Sequence, residues 1–257
     1  MIVQVTRLED ARVLRVSLAS PPRNVLDGAT LSALEEALRA VDPAREPDGR
    51  LRVLLLTHEG PHFSYGASVA EHAPASAPVM LSRFFGVVRA LAGVGLPVVA
   101  ALRGQCLGAG LELVSLASRV FAQEDALLGQ PEVRLAAFAP VAGVLLPRRI
   151  GPARAEELLL SGRVVGAREA LALGLVDDVV RGDPEEAALA WIRASLLGHS
   201  AVALRAALRS SRVHLDRALA EELPAQEALY QQLLATADAE EGVRAFLEKR
   251  PPRWSDR

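Results

Sequence analysis

Cysteine is nearly absent from this chain: its 257 residues include one, Cys106. Without a second thiol there is no internal disulfide, which fits a reducing compartment. Lysine is as scarce. Of 29 basic residues only Lys249 is a lysine, a bias that codon composition explains without saying what Lys249 does. An excess of one charge is also lacking: 29 basic and 31 acidic residues leave a net charge of −2, so no global basic field recruits nucleic acid or anionic lipid. No apolar run reaches the ~18 residues a membrane helix needs. The stretch from Met1 to Arg7 has no basic segment leading into an apolar core, so no signal peptide is expected. The five histidines make no metal site: Gly60-Pro61 separates His58 from His62, the other three are scattered, and no second cysteine helps. Apolar residues are plentiful. At 51% hydrophobic and 23% charged, the composition excludes disorder and fibrous architecture and suits one large domain, or one domain with an appendage. A cytoplasmic globular protein is the expectation.

Hydrophobic patterning predicts strands over Ile2–Thr6 and Val13–Leu18 with a hairpin-like turn at Glu9-Asp10. A helix follows, capped by Asp27 or Thr30, with Leu31, Leu34, Leu38 and Val41 on one side. After a polar loop from Asp42 to Arg50 come a buried strand at Leu51–Thr57, a loop-rich stretch from Glu59 to Pro78, a helix at Leu81–Leu91 and a second buried strand at Pro97–Leu102. Residues 104–118 read as a glycine-rich turn entering a helix, and Val120–Ala122 and Leu127-Leu128 as short strands. From Ala153 helices dominate, interrupted near Leu175–Val180; beyond about Asp183 strand signals are gone. Alternating strands and helices imply an α/β domain with parallel pairing, followed by a helical appendage.

Three segments could carry chemistry. Gly104 to Leu113 (GQCLGAGLEL) is a turn of small residues between a strand and a helix. Backbone N–H groups at such a helix start have no intrahelical partner and suit an oxyanion or phosphate, although a tight structural turn needs the same residues. The third glycine of a dinucleotide fingerprint and the Lys-Ser/Thr of a P-loop are both missing. Glu112 lies among Leu111, Leu113 and Val114; burial would raise its pKa into a range useful for proton transfer, while an acid near a helix start is also ordinary. Glu132, in Gly129-Gln130-Pro131-Glu132, is by itself a first-turn signal, but two carboxylates in different environments can act as acid and base on one substrate. The third segment, His62 to Val69 (HFSYGASV), follows a buried strand, a favoured place for ligand contact. Gly66-Ala67-Ser68-Val69-Ala70 approaches a nucleophile elbow, but the last glycine is absent and Pro74 and Pro78 oppose a long helix directly after it.

Together these motifs resemble the crotonase, or enoyl-CoA hydratase/isomerase, superfamily, from Leu14 to Lys249. Phe63-Ser64-Tyr65-Gly66-Ala67-Ser68 is similar to the family's F-S-A-G-A-D loop, Gly104 to Leu113 to its G-x-x-x-G-G-G-x-E-L turn, and Gly129 to Glu132 to the segment of its second acid. Leu160-Ser161-Gly162 with Ala170 to Val176, and Glu241 to Arg250, resemble two later motifs. The resemblance implies an α/β fold, a crotonase-like spiral of ββα units over residues 1–194, with a C-terminal helical trimerisation region over 195–257. It implies an oxyanion hole from the backbone N–H groups of Ala67 and Ala109, catalytic roles for Glu112 and Glu132, and CoA contacts from Arg23, Phe246 and Lys249, the last two one helical turn apart. CoA enters as part of the substrate; no other cofactor, no metal, no nucleic acid and no membrane partner is implied, and the assembly would be a homotrimer or dimer of trimers.

Three departures stand out. Ser68 replaces an Asp, and Ala109 replaces the middle glycine, which preserves the N–H donor unless the position needs φ > 0. Phe138 to Gly143 differs from the family's P-G-x-G-G; with Gly66 to His72 it looks most like the branch that hydrates cyclic dienoyl-CoA esters such as cyclohexa-1,5-diene-1-carbonyl-CoA. Having both glutamates favours water addition or removal. The competing readings are a short-chain enoyl-CoA or 3-methylglutaconyl-CoA hydratase, a Δ3,Δ2-enoyl-CoA isomerase or C–C lyase on the same scaffold, and a catalytically silent or RNA-binding relative.

Overall fold

The structure, a computed structural model, describes residues 1–43, 49–73 and 76–257. The middle of the polar loop expected over 42–50, and Pro74, lie outside the described residues. The chain opens with an antiparallel hairpin, β1 (Val3–Leu8) and β2 (Val13–Leu18), whose reversal places Glu9, Asp10 and Ala11 at positive φ. Asp27, not Thr30, caps α1 (Gly28–Arg39), its carboxylate accepting from the Thr30 N–H at 2.8 Å. Next come β3 (Val53–His58) and α2 (Ala77–Ala92). The helix starts four residues before the expected Leu81 because Pro78 sits in its first turn, where a missing N–H costs nothing.

After β4 (Val98–Leu102) the expected glycine-rich turn contains a short strand, β5 (Gln105–Leu107), before α3 (Ala109–Val114). There follow β6 (Arg119–Gln123), β7 (Leu127–Gly129), a 3-10 turn at Pro131–Leu135, α4 (Pro140–Ile150) and α5 (Pro152–Ser161). The rest comprises β8 (Val164–Gly166), α6 (Ala167–Leu173), β9 (Asp178–Val180), α7 (Pro184–Ser195), α8 (Ala201–Leu234) and α9 (Ala237–Leu247). Strands β5 and β8 were not expected from the sequence: each is three residues set in a glycine-rich turn or a helix-dominated stretch, and both are held by pairing with β7.

A six-stranded sheet runs β1-β2-β3-β4-β6-β9, parallel throughout except for the hairpin, and β5-β7-β8 form a second sheet. Every residue of β3 and β4 is buried, as expected where both faces of a parallel sheet are covered. Alternate residues divide between two cores. Val53, Leu55, Val99 and Ala101 pack with Ala188 and Ile192 of α7, while Leu54, Leu56, Val98 and Ala100 join the larger core with α1, α2 and α4. The C-terminal helices return to the body: α8 packs on α4 and α2, and α9 on the 3-10 turns at Val69–His72 and Pro131–Leu135. That return brings α8 to the site.

Candidate active site

Two loops set the backbone donors. The segment after β3 is held by bridges from Leu26 to Ala67 and from Ser64 to Cys106. Around Ala67 the ladder uses Leu26 N–H to the Gly66 carbonyl (2.9 Å) and Ser68 N–H to the Leu26 carbonyl (3.4 Å). In such a bridge the central residue's own N–H points away from its partner strand, so the Ala67 donor turns outward from Leu26. Ser64 locks the loop, its hydroxyl donating to the Asn24 carbonyl at 2.8 Å and accepting from Gly66 N–H at 3.0 Å. Ala109 is the first residue of α3, where an N–H has no intrahelical acceptor, and its φ is not positive, so the replaced glycine leaves the geometry intact. Gly66 (φ +89) brings the loops together: a Cβ there would lie 3.0 Å from the Leu107 carbonyl and 3.5 Å from Ala109 N.

The glutamates come from the helix and the 3-10 turn that follow. Glu112, 2% exposed, accepts at Oε1 from Val141 and Ala142 N–H groups, both at 2.7 Å. Pro140 opens α4 without a donor, so the next two amides of that helix start converge on this one carboxylate oxygen. Burial drives the Glu112 pKa up, to about 7, against those two hydrogen bonds, which favour the ionised form. Glu132 is pushed up to about 8, first by burial and then by the negative charge of Glu112. The Gln130 amide, with its nitrogen turned toward Glu132, donates to both carboxylate oxygens at 3.2 Å. Gly108 stands where the groups meet: a Cβ on it would lie 2.4 Å from Glu132 Oε1.

Ala67, Ala109, Glu112 and Glu132 thus line one cavity of about 70 Å³, several times the room one water requires. Its other walls are largely apolar, among them Met80, Leu81, Phe84 and Phe138, with Tyr230 from α8. Nothing in the sequence around Tyr230 marked it, and Gln130 was read only as part of the segment that carries Glu132. A tyrosine within a 34-residue helix has no local signature, and Gln130 matters only through the orientation of its neighbour.

The residues expected to meet CoA lie outside this lining. Arg23 lies 5.7 Å over the ring of Tyr65; Tyr65 lines the cavity and Arg23 does not. Phe246 and Lys249 are exposed, and neither lines the cavity. They are not one turn apart on a helix: α9 ends at Leu247, and Lys249 takes φ +55 in the turn beyond, where its N–H donates to the Phe246 carbonyl. Buried Glu241 fixes that turn, accepting from Arg250 Nη1 at 2.6 Å and from Arg253 N–H at 2.9 Å. Among the described residues no group of three or more His, Cys, Asp or Glu side chains is placed to hold a metal ion, and no helix is long and apolar enough to cross a membrane.

Comparison with known proteins places this geometry. The cyclohexa-1,5-dienecarbonyl-CoA hydratase of Thauera aromatica is 45% identical over 249 residues, covering 96% of this chain and 95% of that protein. The 2,3-dehydroadipyl-CoA hydratase of Escherichia coli (strain K12) is 33% identical over 249 residues, covering 96% of each. An enoyl-CoA hydratase structure from Mycobacterium avium subsp. paratuberculosis K-10 superposes with a TM-score of 0.86 at 26% identity, covering 100% of this chain and 99% of that one. Residues 9–257 match the enoyl-CoA hydratase/isomerase family description. That match spans most of the sequence, and the chain belongs to the enoyl-CoA hydratase/isomerase family.

Proposed function

We propose that this protein is a hydro-lyase that adds water to the conjugated double bond of an enoyl- or dienoyl-CoA thioester, with a compact cyclic dienoyl group such as cyclohexa-1,5-diene-1-carbonyl as its acyl part. The observation that carries the reading is the meeting of buried Glu112 and half-buried Glu132 with the Ala67 and Ala109 backbone N–H groups at one cavity. The thioester oxygen lies between the Ala67 and Ala109 donors, where enolate charge develops during addition. Glu112, whose ionised form is favoured by two amide hydrogen bonds, removes a proton from water as its oxygen bonds to the substrate. Glu132, kept protonated by burial and by the neighbouring negative charge, delivers its proton to the carbon next to the carbonyl. One proton has then entered at Glu112 and one has left from Glu132, and transfer between them restores the starting state. The identity to a cyclic dienoyl-CoA hydratase favours the cyclic substrate over linear ones.

The test is loss of thioester conjugation with crotonyl-CoA and with the cyclic dienoyl-CoA. Glu112→Gln and Glu132→Gln should each lose about 10²–10⁴-fold in kcat, the usual contribution of a general acid or base, while still binding acyl-CoA. Wild-type turnover in either variant refutes the assignment. Higher kcat/KM on crotonyl-CoA than on the cyclic ester would transfer the reading to a short-chain enoyl-CoA hydratase.

For assembly, we infer a trimer or dimer of trimers with residues from about 195 onward packed across subunits. Exposed Val202 and Val213, which fall on one side of α8, support this: apolar side chains aligned on a helix face suit burial against another chain. A monomeric mass by light scattering at micromolar concentration would rule it out.

A further inference from the structure

Besides the glutamates, Tyr230 belongs to the wall that this cavity shares with a second one. Tyr230 is 1% exposed, its ring packed against Phe138 at 5.1 Å and against His72 at 6.4 Å between centroids. His72 is itself fixed: its Nδ1 donates to the Ser68 carbonyl at 2.8 Å. Behind these rings lies a second small cavity, of about 10 Å³, whose far wall is Leu234 of α8 with Ala239 and Val243 of α9. Val69, His72, Leu135, Ala137 and Tyr230 line both spaces, so the two are separated by little more than side chains.

We propose that Tyr230, braced by His72 and Phe138, is the chain-length stop of the acyl site: it confines the site to compact acyl groups, and the apolar space toward α9 is where a longer chain would run if the ring were removed. The proposal rests on the acyl-CoA reading of the cavity and adds the residue that sets its length. A tyrosine closes such a site well. Its ring is stiff and turns about few bonds, and contacts on two sides hold it in one rotamer, so swinging it aside would displace Phe138 or His72. Burial above all keeps the phenol un-ionised, with the negative charge carried by the glutamate pair acting in the same direction, so the partition presents an aromatic surface rather than a charge. On both sides the walls are mostly apolar, which suits a methylene chain and offers little to a polar one.

The experiment compares oct-2-enoyl-CoA with crotonyl-CoA by kcat/KM, and the saturated octanoyl-CoA with butyryl-CoA by calorimetric binding. The wild-type protein should favour the short member of each pair. Tyr230→Ala should raise the long-to-short ratio about tenfold or more, the low end of what one methylene is worth in an apolar pocket. Tyr230→Phe, which keeps the ring, should leave the ratio unchanged. Tyr230→Leu, which shortens the side chain while filling more of the core, serves if the alanine variant does not fold, and should shift the ratio the same way. Wild-type protein that takes octenoyl-CoA as readily as crotonyl-CoA overturns the proposal, as does an unchanged ratio in a folded Ala or Leu variant. A shifted binding ratio in protein that hydrates neither substrate would keep the partition and sink the hydratase reading instead.

Discussion

Gly108→Ala tests how tightly the site is built. Gly108 has φ +52 and ψ −129, a combination that a residue with a Cβ reaches only under strain of about 1–3 kcal/mol. The new methyl would also lie 2.4 Å from Glu132 Oε1. Ordinary contact begins at 3.4 Å, so the carboxylate must retreat by 1.0 Å, the difference between those two distances. A misplacement of about 1 Å can cost about 10²-fold in rate, and any rotation of the next peptide unit turns the Ala109 donor as well, a loss worth about 10²–10³-fold. The catalytic effect therefore outweighs the folding effect: kcat should fall at least about 10²-fold, while Tm drops by roughly 2–12 °C for a chain of this size. Gly166→Ala is the matched control, with φ −77, ψ 164 and no atom within 4 Å of the added Cβ. As the N-cap of α6, where alanine is less favourable than glycine, it should cost about 1 kcal/mol at most, offset in part by the stiffer unfolded chain, and leave kcat unchanged. Steady-state kinetics and thermal melts of the two variants decide the matter; a Gly108→Ala protein retaining kcat within about threefold of wild type would show that Glu132 and the Ala109 amide are not held as described.

Activity should be bell-shaped in pH, because the working pair has Glu112 ionised and Glu132 protonated; the two titrate together, and the bell reports the pair. Both folded-state pKa values are raised, so the stability linked to these groups is fully present below about 4.5 and is lost as pH rises through about 7 and 8. Glu132→Gln should accordingly melt higher than wild type at pH 9, and an equal or lower Tm there contradicts the burial argument. Lys249→Ala removes a cation remote from the reacting carbons, so KM for acyl-CoA should rise several-fold, more at low salt, with kcat little changed. An unchanged KM, or the same response with a pantetheine thioester lacking the nucleotide, would take Lys249 out of the CoA site.

Sequence patterning carried a long way where structure is local. The runs at 13–18, 53–58 and 98–102 are apolar because both sheet faces are covered, and Asp27 caps its helix through a contact three residues away. The glycine and glutamate motifs could also be recognised, since chemistry requires small residues and carboxylates at fixed places on the chain. The strands β5 and β8 could not, because each is three residues set in a glycine-rich turn or a helix-dominated stretch and is held by pairing with β7. Nor could the burial that raises both glutamates, which needs α3, the 3-10 turn at Pro131 and the start of α4 to converge. The amides of Val141 and Ala142 reach Glu112 across 29 and 30 residues, and Tyr230 reaches the cavity from a helix near the other end of the chain. The residue types of the site were set by its sequence; which of them share a cavity, in what charge state and behind which wall, was decided by packing, because desolvation and contact depend on neighbours that only the folded chain brings within reach.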